Sequence, residues 1–480
     1  MHRHDSSTEV LTQAVVRYAV DRVRLDPPPL DGPRTMEELR AMAGRTITTS
    51  GIGGLEALRI FGDVLAPACI SVDHPRFLSF VPAAPTEASI LFDLVVGASS
   101  VYGGSWLEGG GAVFAENEAL RWIADLVGLP DSAGGVFVAG GTAGNLSALL
   151  AARWQWRQRA DGRLDRTRGL LLSSEGAHSS VAQAARAMDA DIVAVPAADD
   201  GRLTASGLRA ALDALGPEDR ERTFAVVATS GTTNVGVVDD LAAAADAAGE
   251  LDTWFHVDGA YGGAALAAPS VRHLFNGIEY ADSFIVDPHK WLFAPYDSCA
   301  LLYRDPEIAR LAHTQHAEYL DVLHDGAPAT NEPTPHADDS PGPGLAAAPA
   351  PARAWNAADY AHHLTRRARG LPLWFSLATH GTDAYAEAIE TTLRTAHAGA
   401  DLVRRAEHLE LVVEPELSIV VFRRVGWRPD DYARWSDDQL ARGESFVTPT
   451  SWRGETVLRW CIVNPLTTED DLAAIVESLV

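Results

Sequence analysis

Cysteine is scarce in this chain: Cys69, Cys299 and Cys461 are the three among 480 residues. They are too few and too scattered for a disulfide framework, and no ligand spacing suggests a metal, so none is expected. Long apolar runs are missing too, none approaching the ~18 residues of a membrane helix. The N-terminus, Met1-His2-Arg3-His4-Asp5, has no signal-peptide pattern. These absences point to a reducing cytoplasm. Positive charge is in short supply as well, with 39 Lys and Arg against 65 Asp and Glu and a formal charge of −26. That balance argues against nucleic acid or an anionic membrane surface as a partner. The acidic surplus is spread along the chain and reads as solubility. Any repulsion of acidic substrates is a weak effect, because the field is screened within ~10 Å and one pocket arginine outweighs it.

What is present is material for a large core. Apolar residues make up 47% of the chain, as in soluble globular proteins, and the length allows two or three packed units. Residues 1–85 read as an N-terminal helical arm with the linker Asp26-Pro27-Pro28-Pro29. Residues 86–375 alternate strand and helix patterns, which predicts an α/β unit with a mainly parallel, doubly wound sheet. Residues 376–480 return short strands (Glu410 to Val413, Ser418 to Phe422, Thr456 to Cys461) and a closing helix, a small α+β domain. A Pro- and Ala-rich stretch from Asp325 to Ala354 cannot form a packed core. It belongs to a mobile loop or insertion spanning about 313–354, and reads either as an enlarged lid or as a passive surface loop.

Chemistry is concentrated where strands end. Ser283-Phe284-Ile285-Val286 reads as a buried strand running into Asp287-Pro288-His289-Lys290-Trp291. A lysine there must pair, neutralise or become covalently engaged. Depressed lysine amines form Schiff bases, with pyridoxal phosphate the common carbonyl partner; a single such lysine is also what a snorkelling surface residue looks like. Phe255-His256-Val257-Asp258-Gly259-Ala260-Tyr261 ends a second strand in a carboxylate suited to a pyridinium nitrogen, or to capping a turn. Val136-Phe137-Val138-Ala139 leads into Gly140-Gly141-Thr142-Ala143-Gly144-Asn145 and a helix, a pattern that offers free amides to a phosphate or merely connects two elements. Leu170 to Ser174 leads to Ala177-His178-Ser179-Ser180, with an imidazole at a helix head that is catalytic or structural. Phe224 to Thr229 ends in Ser230-Gly231-Thr232-Thr233, whose hydroxyls bind a ligand or cap the turn. In an open α/β sheet all five junctions converge beyond the carboxyl ends of the strands, where ligands bind.

In that order, these motifs resemble the group II pyridoxal-5'-phosphate-dependent amino acid decarboxylases, which include the aromatic-L-amino-acid, tyrosine, histidine and glutamate enzymes. The resemblance runs from His74-Pro75 to Cys461-Ile462-Val463-Asn464-Pro465 and takes in Arg272 to Gly277 and Arg366 to Trp374. It implies the fold of the pyridoxal-phosphate-dependent transferases (aspartate aminotransferase-like, fold type I). It also implies a carboxy-lyase that releases CO2 and an amine through a Schiff base on Lys290 and a quinonoid intermediate. By the resemblance, Asp258 pairs with the pyridinium nitrogen, His178 and Ala260 flank the ring, Gly141, Thr142 and His289 surround the phosphate, and Thr233 lies close to the cofactor and its lysine. Glu318-Tyr319-Leu320 falls in the mobile catalytic loop, making Tyr319 the general acid.

The resemblance further implies a homodimer with the active site at the interface and the N-terminal arm wrapped round the neighbour. Departures concern the substrate pocket. Phe80-Val81-Pro82 has one aromatic where aromatic decarboxylases have a pair, and Tyr102, Trp106 and Glu108 in a glycine-rich stretch either rebuild the pocket or are ordinary packing residues. Asp287 stands where the animal aromatic enzymes have asparagine. The alternatives are an aldehyde synthase that couples decarboxylation to oxidative deamination, another lyase or aminotransferase of the same fold, or a catalytically silent homologue. Having both Tyr319 and His178 favours simple decarboxylation. The identity of the small-molecule amino acid stays open.

Overall fold

The computed structural model describes residues 2, 5–160, 164, 166–324 and 354–480. The N-terminal part is helical: α1 (Ser6–Val23), α2 (Met36–Ala43), α3 (Gly54–Ile60), α4 (Glu87–Ser99) and α5 (Trp106–Val127). Asp5 starts α1 by accepting from the amides of Ser7 and Thr8, satisfying donors that have no partner inside the helix.

The central unit alternates β1 (Gly134–Val138), α6 (Gly141–Arg159), β2 (Leu170–Ser174), α7 (Ser179–Ala187), β3 (Asp191–Val195), α8 (Ala205–Ala214), α9 (Pro217–Arg222), β4 (Thr223–Thr229), α10 (Leu241–Glu250), β5 (Trp254–Asp258), β6 (Ser283–Val286) and β7 (Cys299–Tyr303). The seven strands are ordered β1-β7-β6-β5-β4-β2-β3. Only β7 runs antiparallel, pairing with β1 on one side and β6 on the other. Strands β2, β4, β5, β6 and β7 are buried at every position, as expected of strands covered on both faces. Helices α6 and α7 pack over one face with Val136, Leu171, Val227 and Ile285. Phe137, Leu172, Val226 and Phe284 point into the opposite core.

After α11 (Pro306–His313) and the short α12 (Asp321–His324), the chain continues through α13 (Leu371–His380) and the long α14 (Thr382–Arg405) into β8 (Leu409–Val413), β9 (Ile419–Arg424), α15 (Pro429–Ala441), β10 (Pro449–Trp452), β11 (Glu455–Cys461) and α16 (Glu469–Ser478). Its four strands form an antiparallel sheet, β10-β11-β9-β8. The stretch around Phe77 belongs physically to this unit. Leu78 N donates to Phe446 O at 3.0 Å, Cys461 N donates to Leu78 O at 2.9 Å, and Arg76 Nε meets Asp471 at 2.7 Å. The glycine-rich run after β1 also differs from the expected loop: α6 begins at Gly141 itself, so Gly141, Thr142 and Ala143 form its first turn.

Candidate active site

Because the parallel strands all point one way, their carboxyl ends share one rim. A cavity of about 610 Å³ opens there, lined by Gly141, Thr142, His178, Thr233, Asp258, Ala260, His289 and Lys290 among others; ligand sites typically measure ~300–1,000 Å³. All the residues expected around a cofactor are therefore brought together in one chain. Phe80, Val81, Pro82, Tyr102 and Trp106 are not among its lining residues. Phe80 is 63% exposed and stacks loosely on Phe446, while Val81 packs on the main core. Tyr102 Oη donates to Leu364 O at 3.1 Å, and Trp106 starts α5 with its amide donating to Asn356 Oδ1 at 3.0 Å. Tyr319 lies on the turn Glu318–Leu320; its side chain, like residues 325–353, is outside the described part of the molecule.

Each position has a local cause. No side chain caps α6, so its first amides open towards the cavity with the positive end of the helix dipole. Gly141 lets the wall come close: a methyl there would stand 3.1 Å from Ala260 Cβ and 3.2 Å from Asp287 Oδ2. Gly231 turns the chain after β4 with φ +103, and a side chain there would strike Gly262 Cα at 2.8 Å. His178 is the N-cap of α7. Ser180 N donates to its Nδ1 at 3.2 Å, and the Ser180 hydroxyl lies 2.8 Å from the same nitrogen.

A buried network unforeseen from sequence holds these groups. Asn145 Nδ2 donates at 2.8 Å to both Asp258 Oδ2 and Ser180 Oγ. Its Oδ1 is 2.8 Å from His256 Nε2, and His256 Nδ1 is 2.7 Å from Ser283 Oγ, which also accepts from Trp254 Nε1 at 2.8 Å. Donor and acceptor bookkeeping then assigns the protons. His256 carries its hydrogen on Nε2, Ser283 donates to Nδ1, and Ser180, accepting from Asn145, donates to His178 Nδ1. Asp258 and His178 are thus linked through the Asn145 amide and the Ser180 hydroxyl. Asp258 Oδ1 also accepts from Ala260 N at 3.1 Å. The sequence signal was Asn145, an amide in a helix of small residues.

Burial pushes the His256 imidazole down to about 4, with the Asp258 charge opposing. His313 and His363 are likewise pushed down to about 4 by burial. A histidine harder to protonate when folded stabilises fully above the unfolded value of 6.5, and loses that contribution as pH falls towards 4. Asp239, pushed up to about 7 by burial, works in the opposite sense over the same window. Burial also lowers His74 and His289 and raises Asp282; with five histidines against two aspartates, the melting temperature is expected to fall on acidification from pH 7 to 5 and to fall less in His256→Gln. A midpoint that stays level in the wild type would refute this.

Of the cations Lys290 and Arg459, Lys290 lines the cavity and Arg459 does not. Lys290 Nζ is 2.9 Å from Asp287 Oδ2, with the lysine side chain 24% exposed and the aspartate 2%. Lys290 is also the only lysine in the chain, so an amine at this strand end is not one of many. Arg459 on β11 donates from one terminal nitrogen to Phe80 O at 2.7 Å. Its Nε and other terminal nitrogen are buried with no partner among the described residues. Its charge and that of Lys290 both lower the Cys461 thiol, which burial holds up at about 11.

The set suits pyridoxal 5'-phosphate: a lysine amine for the aldehyde, a carboxylate fixed by two donors for a ring nitrogen, a helix start for the phosphate, and at the cavity the Thr229 hydroxyl, buried without a partner among the described residues. The architecture is that of the pyridoxal-phosphate-dependent transferases of fold type I.

The comparisons with known proteins agree. Residues 55–332 match the pyridoxal-dependent decarboxylase conserved domain. The chain is 28% identical over 455 residues to an aromatic-L-amino-acid decarboxylase of Bacillus atrophaeus, covering 91% of this chain and 87% of the relative. It is 30% identical over 442 residues to an L-2,4-diaminobutyrate decarboxylase of Rhizobium meliloti (strain 1021), covering 89% and 82%. The crystal structure of Oryza sativa TDC with PLP and tryptamine superposes with a TM-score of 0.86 at 24% identity, over 100% of this chain and 98% of that one. The chain belongs to the pyridoxal-dependent decarboxylase family. It is a carboxy-lyase acting on an amino acid, with pyridoxal 5'-phosphate as its cofactor.

Proposed function

We propose that Lys290 is the cofactor's covalent anchor, that Asp258 and His178 govern its ring, and that the products are CO2 and the primary amine of an L-amino acid. The observation that carries this reading is the Asp258–Asn145–Ser180–His178 network, with bonds of 2.8 Å, which ties a carboxylate and an imidazole to the same cavity as Lys290 Nζ. When bound, the cofactor supplies an electron sink for the pair released from the Cα–carboxylate bond.

The chain's own residues do the rest. Asp258, at 4% exposure, holds a proton on the ring nitrogen while its second and third hydrogen bonds keep it from turning away. His178 presents its flat face, fixed by the α7 amide of Ser180. Gly141, Thr142 and His289 would hold the phosphate, Ala260 and His178 would flank the ring, and Thr233 lines the same cavity as the lysine. Lys290 Nζ would hold the cofactor's aldehyde carbon between turnovers. Tyr319 returns the proton to Cα. Incubation of the loaded protein with a pool of L-amino acids, following amines, aldehydes and CO2 by mass spectrometry, tests the reading; aldehyde and peroxide as the main products would overturn it.

Tyr319 carries a sharper expectation. In Tyr319→Phe, amine yield is expected to fall by about 10²-fold or more, the typical weight of one general acid. Dioxygen is expected to divert the reaction to aldehyde, ammonia, CO2 and hydrogen peroxide. Unchanged amine yield would remove Tyr319 from the mechanism.

The active unit in this reading is a homodimer, and the substrate pocket draws Tyr102 and Trp106 from the second copy and Phe80, Val81 and Pro82 from the small domain. Supporting it, α1 buries none of its residues, and Phe61, Leu94, Val95, Trp106, Leu107 and Phe114 are exposed on the N-terminal helices, an amount of apolar surface that marks an interface. Sedimentation equilibrium is expected to give twice the 51.3 kDa chain mass; a monomer with full activity would exclude the shared pocket. A cytoplasmic location fits the three unpaired cysteines.

A further inference from the structure

We propose that Asp287 is a positioning residue that parks the free ε-amine of Lys290 as an ammonium, so that every attack of Lys290 on a carbonyl carbon waits for one proton to leave the pair. The proposal rests on the reading of Lys290 as the carbonyl-reactive lysine. It concerns the step by which that lysine loads the cofactor and later reclaims it from the product.

The geometry is specific. Asp287 follows β6 directly and is 2% exposed, with Oδ2 2.9 Å from Lys290 Nζ and 3.7 Å from His289 Nε2. The two side chains sit on one turn closed by the backbone, where Lys290 N donates to Asp287 O at 2.9 Å. They are therefore held together without help from a flexible loop. Asp287 Oδ1 is buried, and the Cys299 thiol of β7 is a side-chain hydrogen-bonding neighbour of the same carboxylate.

The groups facing the pair leave it no other charge balance. On the same turn, His289 is pushed down by burial. The Cys299 thiol on β7 is raised well above its ordinary value by burial and then by the Asp287 charge, and burial raises the Tyr296 phenol. All three are neutral near pH 7. Asp258, across the cavity on β5, is already engaged by Asn145 and Ala260. Burial by itself would drive Lys290 to the free amine, but the charge and hydrogen bond of Asp287 outweigh it and raise the lysine above its ordinary value.

An ammonium has no lone pair to give. For the attack, one proton leaves Nζ for solvent, so that Nζ becomes a neutral amine while Asp287 stays a carboxylate. The freed lone pair then forms the carbon–nitrogen bond. The carbonyl carbon–oxygen bond breaks, and water leaves with the two hydrogens that remained on Nζ. A parked ammonium does not compete with a bound amine for the same carbon, so Lys290 does not expel a substrate before it reacts.

The single lysine makes the test direct. Full-length protein is stripped of cofactor with hydroxylamine and mixed with pyridoxal, which lacks the phosphate and so does not feel the Asp287 charge through it. Adducts are trapped with borohydride, and the one lysine peptide is quantified from about pH 6 to 10. In the wild type, the attachment rate is expected to climb about tenfold per pH unit over most of this range. In Asp287→Asn the rate is expected to level off at a lower pH and to exceed the wild type at pH 7 by about tenfold for each unit by which the lysine falls. Parallel profiles, with Asp287→Asn merely slower at every pH, would overturn the proposal while leaving Lys290 as the anchor. If the variant does not fold, the pH profile of trinitrobenzenesulfonate labelling at wild-type Lys290 decides: an amine already neutral at pH 7 overturns it. No adduct at Lys290 in either protein would overturn both this proposal and the reading beneath it.

Discussion

Replacing Lys290 with alanine is expected to lower decarboxylation by about 10³-fold or more, since a covalent anchor acts as a unit with its partners. The variant is also expected to lose the only site at which borohydride can fix the cofactor to a side-chain amine. Arginine is no substitute, because a guanidinium stays charged and is not a nucleophile. In the holoenzyme, borohydride reduction should give one side-chain adduct, mapping to residue 290, with the α-amine as the only other amine in the chain. Fold should survive, since the side chain is 24% exposed to the cavity and Asp287 loses a partner that Asn would not need; Lys290→Ala with Asp287→Asn then serves as the folded control. Amine production within tenfold of the wild type would remove Lys290 from the mechanism.

The largest effect on stability is expected at Glu116. Its carboxylate accepts from both terminal nitrogens of Arg366, at 2.7 and 2.8 Å, and from Gly370 N at 2.8 Å. The same guanidinium donates to Gly103 O at 2.6 Å. The side chains are 1% and 3% exposed. Glu116→Ala strands a buried cation, at a cost of about 3–5 kcal/mol, read as a lower urea midpoint for the full chain. Because removing both charges avoids that stranding, Glu116→Leu with Arg366→Met is expected to recover most of the loss. A shift under about 1 kcal/mol in Glu116→Ala would mean that water reaches the pair. This pair anchors α5 to the segment leading into α13.

The junction residues were legible because each is announced locally. A run of Val, Ile, Phe and Ala that ends in a polar residue and glycine reads as a buried strand and its exit, and β4, β5 and β6 end where such reasoning places them. His178 was legible as the head of a helix, and its ring caps that helix through Ser180 N. Strand β7 was not anticipated as an antiparallel insertion between β1 and β6, since direction is set by where the chain re-enters the sheet and not by apolar content. Strand β10, Pro449–Trp452, is a short edge strand whose burial alternates weakly, which leaves little pattern to read.

The substrate-pocket residues show a different limit. Phe80, Tyr102 and Trp106 were singled out by position in a family pattern, yet in one chain Phe80 lies against Phe446, Tyr102 and Trp106 bond to the segment before α13, and none of them lines the cavity of the lysine. Arg459 was passed over because an arginine in an amphipathic strand is ordinary. Its burial beside Cys461 exists only once β11 is laid against Phe80.

By itself, the sequence determined the α/β class, the strand ends that carry chemistry, and the lysine and aspartate on them, because alternation, turn residues and charge act over a few neighbours. The tertiary structure alone decided that Asn145, Ser180 and His256 join Asp258 to His178, and that Asp287 is the anion that meets Lys290. It also decided that Glu116 is sealed against an arginine 250 positions away. Hydrogen bonds between buried groups depend on distances of a few tenths of an ångström, and packing of distant segments sets those distances.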